Sequence, residues 1–152
     1  METLERILGE HPFFAGFAPD HLRIVTGCAR NHRFDAGQYL VREGDKADEF
    51  FLIRHGRVAL EIAPPGGAPM VFETVREGEI VGASWLVPPY RWMFDARALD
   101  MTRAIGIDAA CLRGKCDADH DLGYEMMQRF LPVLADRLQA TRLQILDVYG
   151  RR

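Results

Sequence analysis

Apolar positions change their period twice along the chain, and the changes mark three regions. Near the start, Leu4, Ile7 and Leu8, then Leu22, Val25 and Cys28, recur at three- and four-residue intervals with Pro12, Gly16 and Pro19 between them, which predicts two short helices within residues 1–30. Asp20, directly before His21, is expected to cap the second helix by accepting its orphan N–H groups. Phe13, Phe14 and Phe17 in the connection read as a packing plug. From His32 onward the period becomes two, punctuated by Gly37, Gly44, Gly56, Gly66, Gly67, Gly78 and Gly82. Short strands are expected at 38–41, 49–54, 57–62, 70–75, 93–98 and 102–107, a spacing typical of a sandwich or barrel over residues 31–110. Val58, Leu60 and Ile62 should share one face, and 63–69 is too rich in proline and glycine to pair within a sheet. After Gly114 the period is helical over 115–150. There Met127, Leu131, Leu134, Leu138, Thr141, Ile145 and Val148 alternate gaps of four and three, the seam of a coiled coil. This predicts a helix, kinked or divided at Pro132, that pairs with a second copy, ahead of the competing reading in which the seam packs on the domain's own sheet.

Composition narrows the class. At 152 residues, 48% hydrophobic and 27% charged, the chain has the make-up of one globular domain spanning 1–152. Its net charge of -3 gives no general attraction to nucleic acid. No apolar run approaches the roughly 20 residues of a membrane span, and the first residues lack the layout of a signal peptide, so a cytoplasmic protein is expected. Cys28, Cys111 and Cys116 sit at no metal-finger or redox-motif spacing and read as free thiols. A metal cluster of Cys111, Cys116, Asp119 and His120 is outweighed by two small, partly buried cysteines, and no metal site is assigned. Paired carboxylates, a nucleophile elbow and a phosphate loop are all lacking, and His32 and His55 stand alone where a cupin needs clustered histidines. An enzyme is therefore not expected.

Candidate chemistry gathers at residues 78–98. Gly82 opens a short apolar turn of Ser84, Trp85, Leu86 and Val87, and Pro88 and Pro89 stop it from becoming a long helix. Free N–H groups at the start of such a turn favour an anion, with Arg91 following within reach.

The order of parts, together with the segments Phe34–Leu40, Arg42–Asp45, Phe51–Val58 and Gly78–Gly82, resembles the cyclic nucleotide-binding domain family. Arg137-Leu138-Gln139-Ala140-Thr141 resembles the dimer helix of Crp/Fnr-type regulators. The resemblance implies a mainly β fold with flanking helices: an antiparallel β-roll of the double-stranded β-helix or jelly-roll kind, with N-terminal helices and a long C-terminal dimerisation helix. It also implies a ligand cassette at 78–98. In those regulators a DNA-reading domain follows the dimer helix, whereas this chain stops at Arg152. The cysteine-bearing leader of the iron-sulfur branch has no counterpart before Cys28.

The cassette departs from the family pattern. Where the family places a glutamate for the ribose hydroxyl, this chain has Ala83. Where it places an arginine, a small residue and an alanine for the cyclic phosphate, Trp92, Met93 and Phe94 stand, with Arg91 one position early. Two lost partners weaken a charged ligand a hundredfold or more, at about 1–3 kcal/mol each. The expected function is a regulatory module for another small ligand, nucleotide-like, anionic or aromatic. Gly82, Ala83, Ser84, Trp85, Tyr90, Arg91, Trp92, Met93 and Thr141 are its candidate residues, and the terminal helix of a homodimer signals to an effector protein. A filled, ligand-free dimeric scaffold and a cyclic AMP or GMP sensor using Arg91 in a shifted register are the alternatives. No other cofactor, direct nucleic-acid contact or membrane contact is expected.

Overall fold

The computed structural model describes residues 3–150. Helix α1 (Leu4–Glu10), a 3-10 turn (Pro12–Phe14) and α2 (Pro19–Thr26) precede the strands β1 (Ala29–Phe34), β2 (Tyr39–Val41), β3 (Glu49–His55), β4 (Val58–Ile62), β5 (Met70–Val75) and β6 (Ile80–Val81). A second 3-10 turn (Ser84–Leu86) leads to β7 (Asp95–Ala98), β8 (Thr102–Asp108), α3 (Ala109–Ala118) and α4 (His120–Gly150). The strands form two four-stranded sheets in the orders β1-β8-β3-β6 and β2-β7-β4-β5, with antiparallel pairing throughout. One buried cluster runs from the inner faces of both sheets to Phe13 and Phe14 and to Leu122, Met126 and Phe130 of α4. This is the expected β-roll with flanking helices, and the three phenylalanines pack edge to face as a plug.

Several local expectations are corrected. Asp20 does not cap α2: Ala18 holds the cap position without a side-chain bond, Pro19 takes the first turn, and Asp20 pairs instead with Arg23. Pairing with β8 draws β1 back to Ala29, ahead of the period-two signal. A register shift between Leu60 and Glu61 turns Ile62 away from the face of Val58 and Leu60, so Ile62 is 45% exposed. Strand β7 begins at Asp95, leaving Met93 and Phe94 outside it. The helical region opens at Ala109, where Asp108 accepts from the Cys111 N–H at 2.8 Å. Pro132 lies inside a single helix of 31 residues. It faces solvent, where water can satisfy the carbonyl its missing N–H leaves unpaired.

Cysteine usage differs most. Cys28 and Cys111 are joined in a disulfide, their Cα atoms 5.8 Å apart across 83 residues of sequence, and only Cys116 is free. Asp119 is likewise committed, its carboxylate accepting from the N–H groups of Asp121 and Leu122 at the start of α4. Among the described residues no helix is long and apolar enough to cross a membrane.

Candidate functional site

The cassette is built on Gly82, whose φ of +106° is open to glycine and strained for other residues. The Trp92 ring lies directly over Gly82, at the place a Cβ would occupy. Trp92 is 4% exposed and packs edge to face with Phe94, their centroids 5.7 Å apart. Backbone bonds on both sides fix it there: Trp92 N–H donates to Asp45 O at 2.9 Å, and Gly44 N–H donates to Trp92 O at 2.8 Å. The space above the second glycine is filled by protein.

The short turn expected after Gly82 is a 3-10 turn of three residues, too short to build up a helix dipole. Its Trp85 is fully buried, stacked on Phe50 at 5.0 Å and edge-on to Phe130 of α4 at 5.4 Å. Trp85 therefore joins cassette, sheet and terminal helix from inside the core and presents no face to a ligand. Tyr90 adopts φ +58° and lies under the Arg113 guanidinium, 4.2 Å from its ring centroid. The same Arg113 donates from Nη1 to Trp85 O at 2.8 Å, so α3 grips the cassette at two points.

An open-sided groove of about 610 Å³ lies on the flank of the cassette. Ala83, Ser84, Arg91, the rim of Trp92 and Met93 line it together with Val87, Pro88, Pro89 and Phe94. Its opposite wall is Leu134 and Arg137 of α4. The walls are mainly apolar, with a guanidinium from each side. Arg91 is exposed and donates to Gly44 O at 3.3 Å. Arg137 is largely buried, donates from Nη2 to Ile80 O at 3.1 Å, and sets Nε 3.2 Å from the Glu73 carboxylate. Arg97 offers no further cation, because it pairs with buried Glu61 at 2.6 Å.

The structure thus brings Ala83, Ser84, Arg91, Trp92 and Met93 to one groove beside Gly82, and leaves Trp85 and Tyr90 out of it. Thr141 also lies apart. Its hydroxyl donates to Arg137 O at 2.9 Å, and it borders a cavity of about 30 Å³ with Phe72 and Gln144 and an open depression of about 460 Å³ with Ile145 and Val148. Sequence reasoning did not single out Leu134 and Arg137 as groove residues, or Arg113 as the cassette's anchor. Leu134 was read there in the coiled-coil seam and Arg137 in the Arg137–Thr141 run, both as parts of a dimer helix, and Arg113 carried no signal.

A model of the cyclic nucleotide-binding domain matches residues 31–119. The chain belongs to that family. Among similar proteins, this cyclic nucleotide-binding domain is 29% identical over 94 residues to human cGMP-dependent protein kinase 2, covering 61% of this chain and 12% of the kinase. It is 24% identical over 145 residues to the CRP-like cAMP-activated global transcriptional regulator of Mycobacterium tuberculosis, covering 95% of this chain and 63% of the regulator. The chain therefore spans less than two thirds of either relative. A solved structure of a Geobacter metallireducens protein, assigned to the cyclic nucleotide-binding proteins, superposes with a TM-score of 0.76 at 28% identity, over 91% of this chain and 99% of that one.

Proposed function

We propose that this cyclic nucleotide-binding domain is a regulatory module that takes an amphipathic organic anion on the flank of its cassette, in place of a cyclic nucleotide inside the roll. The observation that carries the reading is the pairing of a filled interior with an open flank: Trp92 occupies the space over Gly82, while the groove beside it has the cassette as one wall and α4 as the other. Its volume of about 610 Å³ is within the range of small-molecule sites, roughly 300–1,000 Å³. Apolar walls accept a flat or aliphatic body, and Arg91 and Arg137 accept a carboxylate, sulfonate or phosphate at its end.

The terminal helix is the output. Met127, Leu131, Leu134, Leu138, Ile145 and Val148 keep the coiled-coil spacing, and each is 44% exposed or more. A second copy of the chain covers this seam in the proposed homodimer. Leu134 belongs both to the seam and to the groove wall, so a ligand that prefers one setting of α4 shifts the dimer and any effector protein reading it.

The test is a titration with 1-anilinonaphthalene-8-sulfonate, an apolar anion, alongside cyclic AMP and cyclic GMP. Saturable binding of one probe per chain, weakened about tenfold in Arg91→Gln through loss of a charge-assisted hydrogen bond, is expected. The nucleotides are expected to leave the fluorescence of Trp85 and Trp92 unchanged. Saturable micromolar nucleotide binding that disappears in Arg91→Gln overturns the reading and restores the cyclic nucleotide sensor with a shifted arginine.

A further inference from the structure

The disulfide, which nothing in the cassette chemistry requires, lies one short step from the cassette. Cys28 sits between α2 and β1, and Cys111 lies in the first turn of α3. Two residues after Cys111, Arg113 makes the contacts that hold the cassette: its bond to Trp85 O at 2.8 Å and its stacking on Tyr90. Of the ten residues of α3 only Ala109 and Leu112 are fully buried; Cys111 and Cys116 pack partly against the core, and the Ala109 N–H donates to Asp48 O at 2.8 Å. An element with so few buried groups belongs to the low-stability end of a fold, where local opening is easiest.

We propose that Cys28–Cys111 is a thiol–disulfide control site: oxidised, it fixes α3 so that Arg113 clamps the cassette, and reduced, it releases that clamp. The exchange needs an external dithiol. One thiolate attacks Cys111 Sγ, on the less buried of the two residues, and the S–S bond breaks with Cys28 leaving as a thiolate that takes up a proton. The second thiol of the reductant then displaces Cys111. The dithiol is oxidised to a disulfide, and the protein gains two electrons and two protons. Cys116 stays out of the exchange. Burial, with the charges of Asp117 and Asp119 behind it, pushes its thiol pKa up, so little nucleophilic thiolate forms there. Cys28 and Cys111 therefore behave as a single couple with two states.

The effect is read on the cassette itself, with no ligand, so it stands or falls separately from the identity of the groove's occupant. The full chain is alkylated with N-ethylmaleimide after denaturation and weighed, with and without dithiothreitol, and hydrogen exchange is followed in residues 84–92 and 109–118. One adduct is expected without reductant and three with it. Reduction should speed exchange in both segments several-fold while β3 and β8 stay protected. A Cys28→Ser/Cys111→Ser variant should match the reduced protein. Arg113→Gln should loosen 84–92 with the disulfide intact and make reduction silent there. Three adducts from protein already treated with oxidised glutathione overturn the proposal, because no couple exists. Unchanged exchange at 84–92 on reduction overturns it too, reducing the bond to a staple, as does loss of protection in β3 and β8, which makes it a requirement of the whole fold.

Discussion

Substituting Gly82 by alanine tests the feature on which the functional reading turns, the placement of Trp92. Two costs add. A residue with a side chain at φ +106° carries backbone strain of order 1–3 kcal/mol. The new methyl also meets the six-membered edge of the Trp92 indole well inside contact distance. That ring is pinned by its backbone bonds to the 44–45 turn and is 4% exposed, so it has little room to give, and overpacking of this kind costs about 1–3 kcal/mol. Gly82→Ala should therefore destabilise the wild type by about 2–6 kcal/mol. In a Trp92→Leu background the steric part disappears and only the backbone part remains. Urea unfolding followed by far-ultraviolet circular dichroism, on the four members of this double-mutant cycle, should give a coupling of about 1–3 kcal/mol. Equal costs of Gly82→Ala in both backgrounds refute the reasoning: Trp92 would then lie elsewhere in solution, and the interior of the roll would again be open to a nucleotide.

Two further outcomes follow from other parts of the molecule. His11 is buried, its Nδ1 accepting from Phe13 N–H and its Nε2–H donating to Ile53 O, and burial lowers its pKa from 6.5 against the opposing effect of the Ile53 bond. The folded state resists a proton that the unfolded state accepts below pH 6.5, so this group costs stability as pH falls from there, by at most about 1.4 kcal/mol per pH unit. A wild-type loss between pH 6.5 and 5 that is no steeper than that of His11→Asn refutes the assignment. Leu131→Glu with Leu138→Glu, both at exposed seam positions, should convert the proposed dimer to monomer in analytical ultracentrifugation without loss of helicity. A wild type that sediments as a monomer refutes the seam.

The fold was legible wherever local chemistry decided it. Strand β5 coincides with the period-two run at 70–75, and the terminal helix follows its seven-residue pattern through Pro132. Elements whose support is distant were not legible. Strand β1, Ala29–Phe34, carries three basic or imidazole side chains and no clean alternation, and it exists because β8 offers it a ladder. The Cys28–Cys111 bond joins positions 83 residues apart, which spacing rules cannot pair. At the site, the sequence placed two tryptophans in one cassette but could not divide their roles. That division comes from the 3-10 turn, which drives Trp85 into the core beneath Phe130, and from the bonds to the 44–45 turn, which lay Trp92 over Gly82. Leu134 and Arg137 became site residues only when α4 folded back against the cassette.

On the proposed reading, membership of the family does not bring its ligand with it, and Arg137 sets the terms for what binds instead. The position after Gly82 is Ala83, so no carboxylate stands there, and Arg137 reaches Glu73 of β5 at 3.2 Å and the carbonyl of Ile80 at 3.1 Å. A guanidinium tied to both sheets in this way fixes α4 against the roll without any ligand. An occupant of the flank therefore has no empty cationic pocket to fill. It must compete with Glu73 for Arg137, or use Arg91 and leave Arg137 in place. The first course alters a tie of α4 directly and adds to whatever the ligand does through Leu134, because a ligand shifts an equilibrium by no more than its differential affinity for the two states. On the proposed reading the stronger signalling ligand is the one whose anion displaces Glu73. An anion of the same shape that stops at Arg91 leaves the Arg137–Glu73 tie in place and signals less for the same occupancy, so affinity and output separate at Glu73.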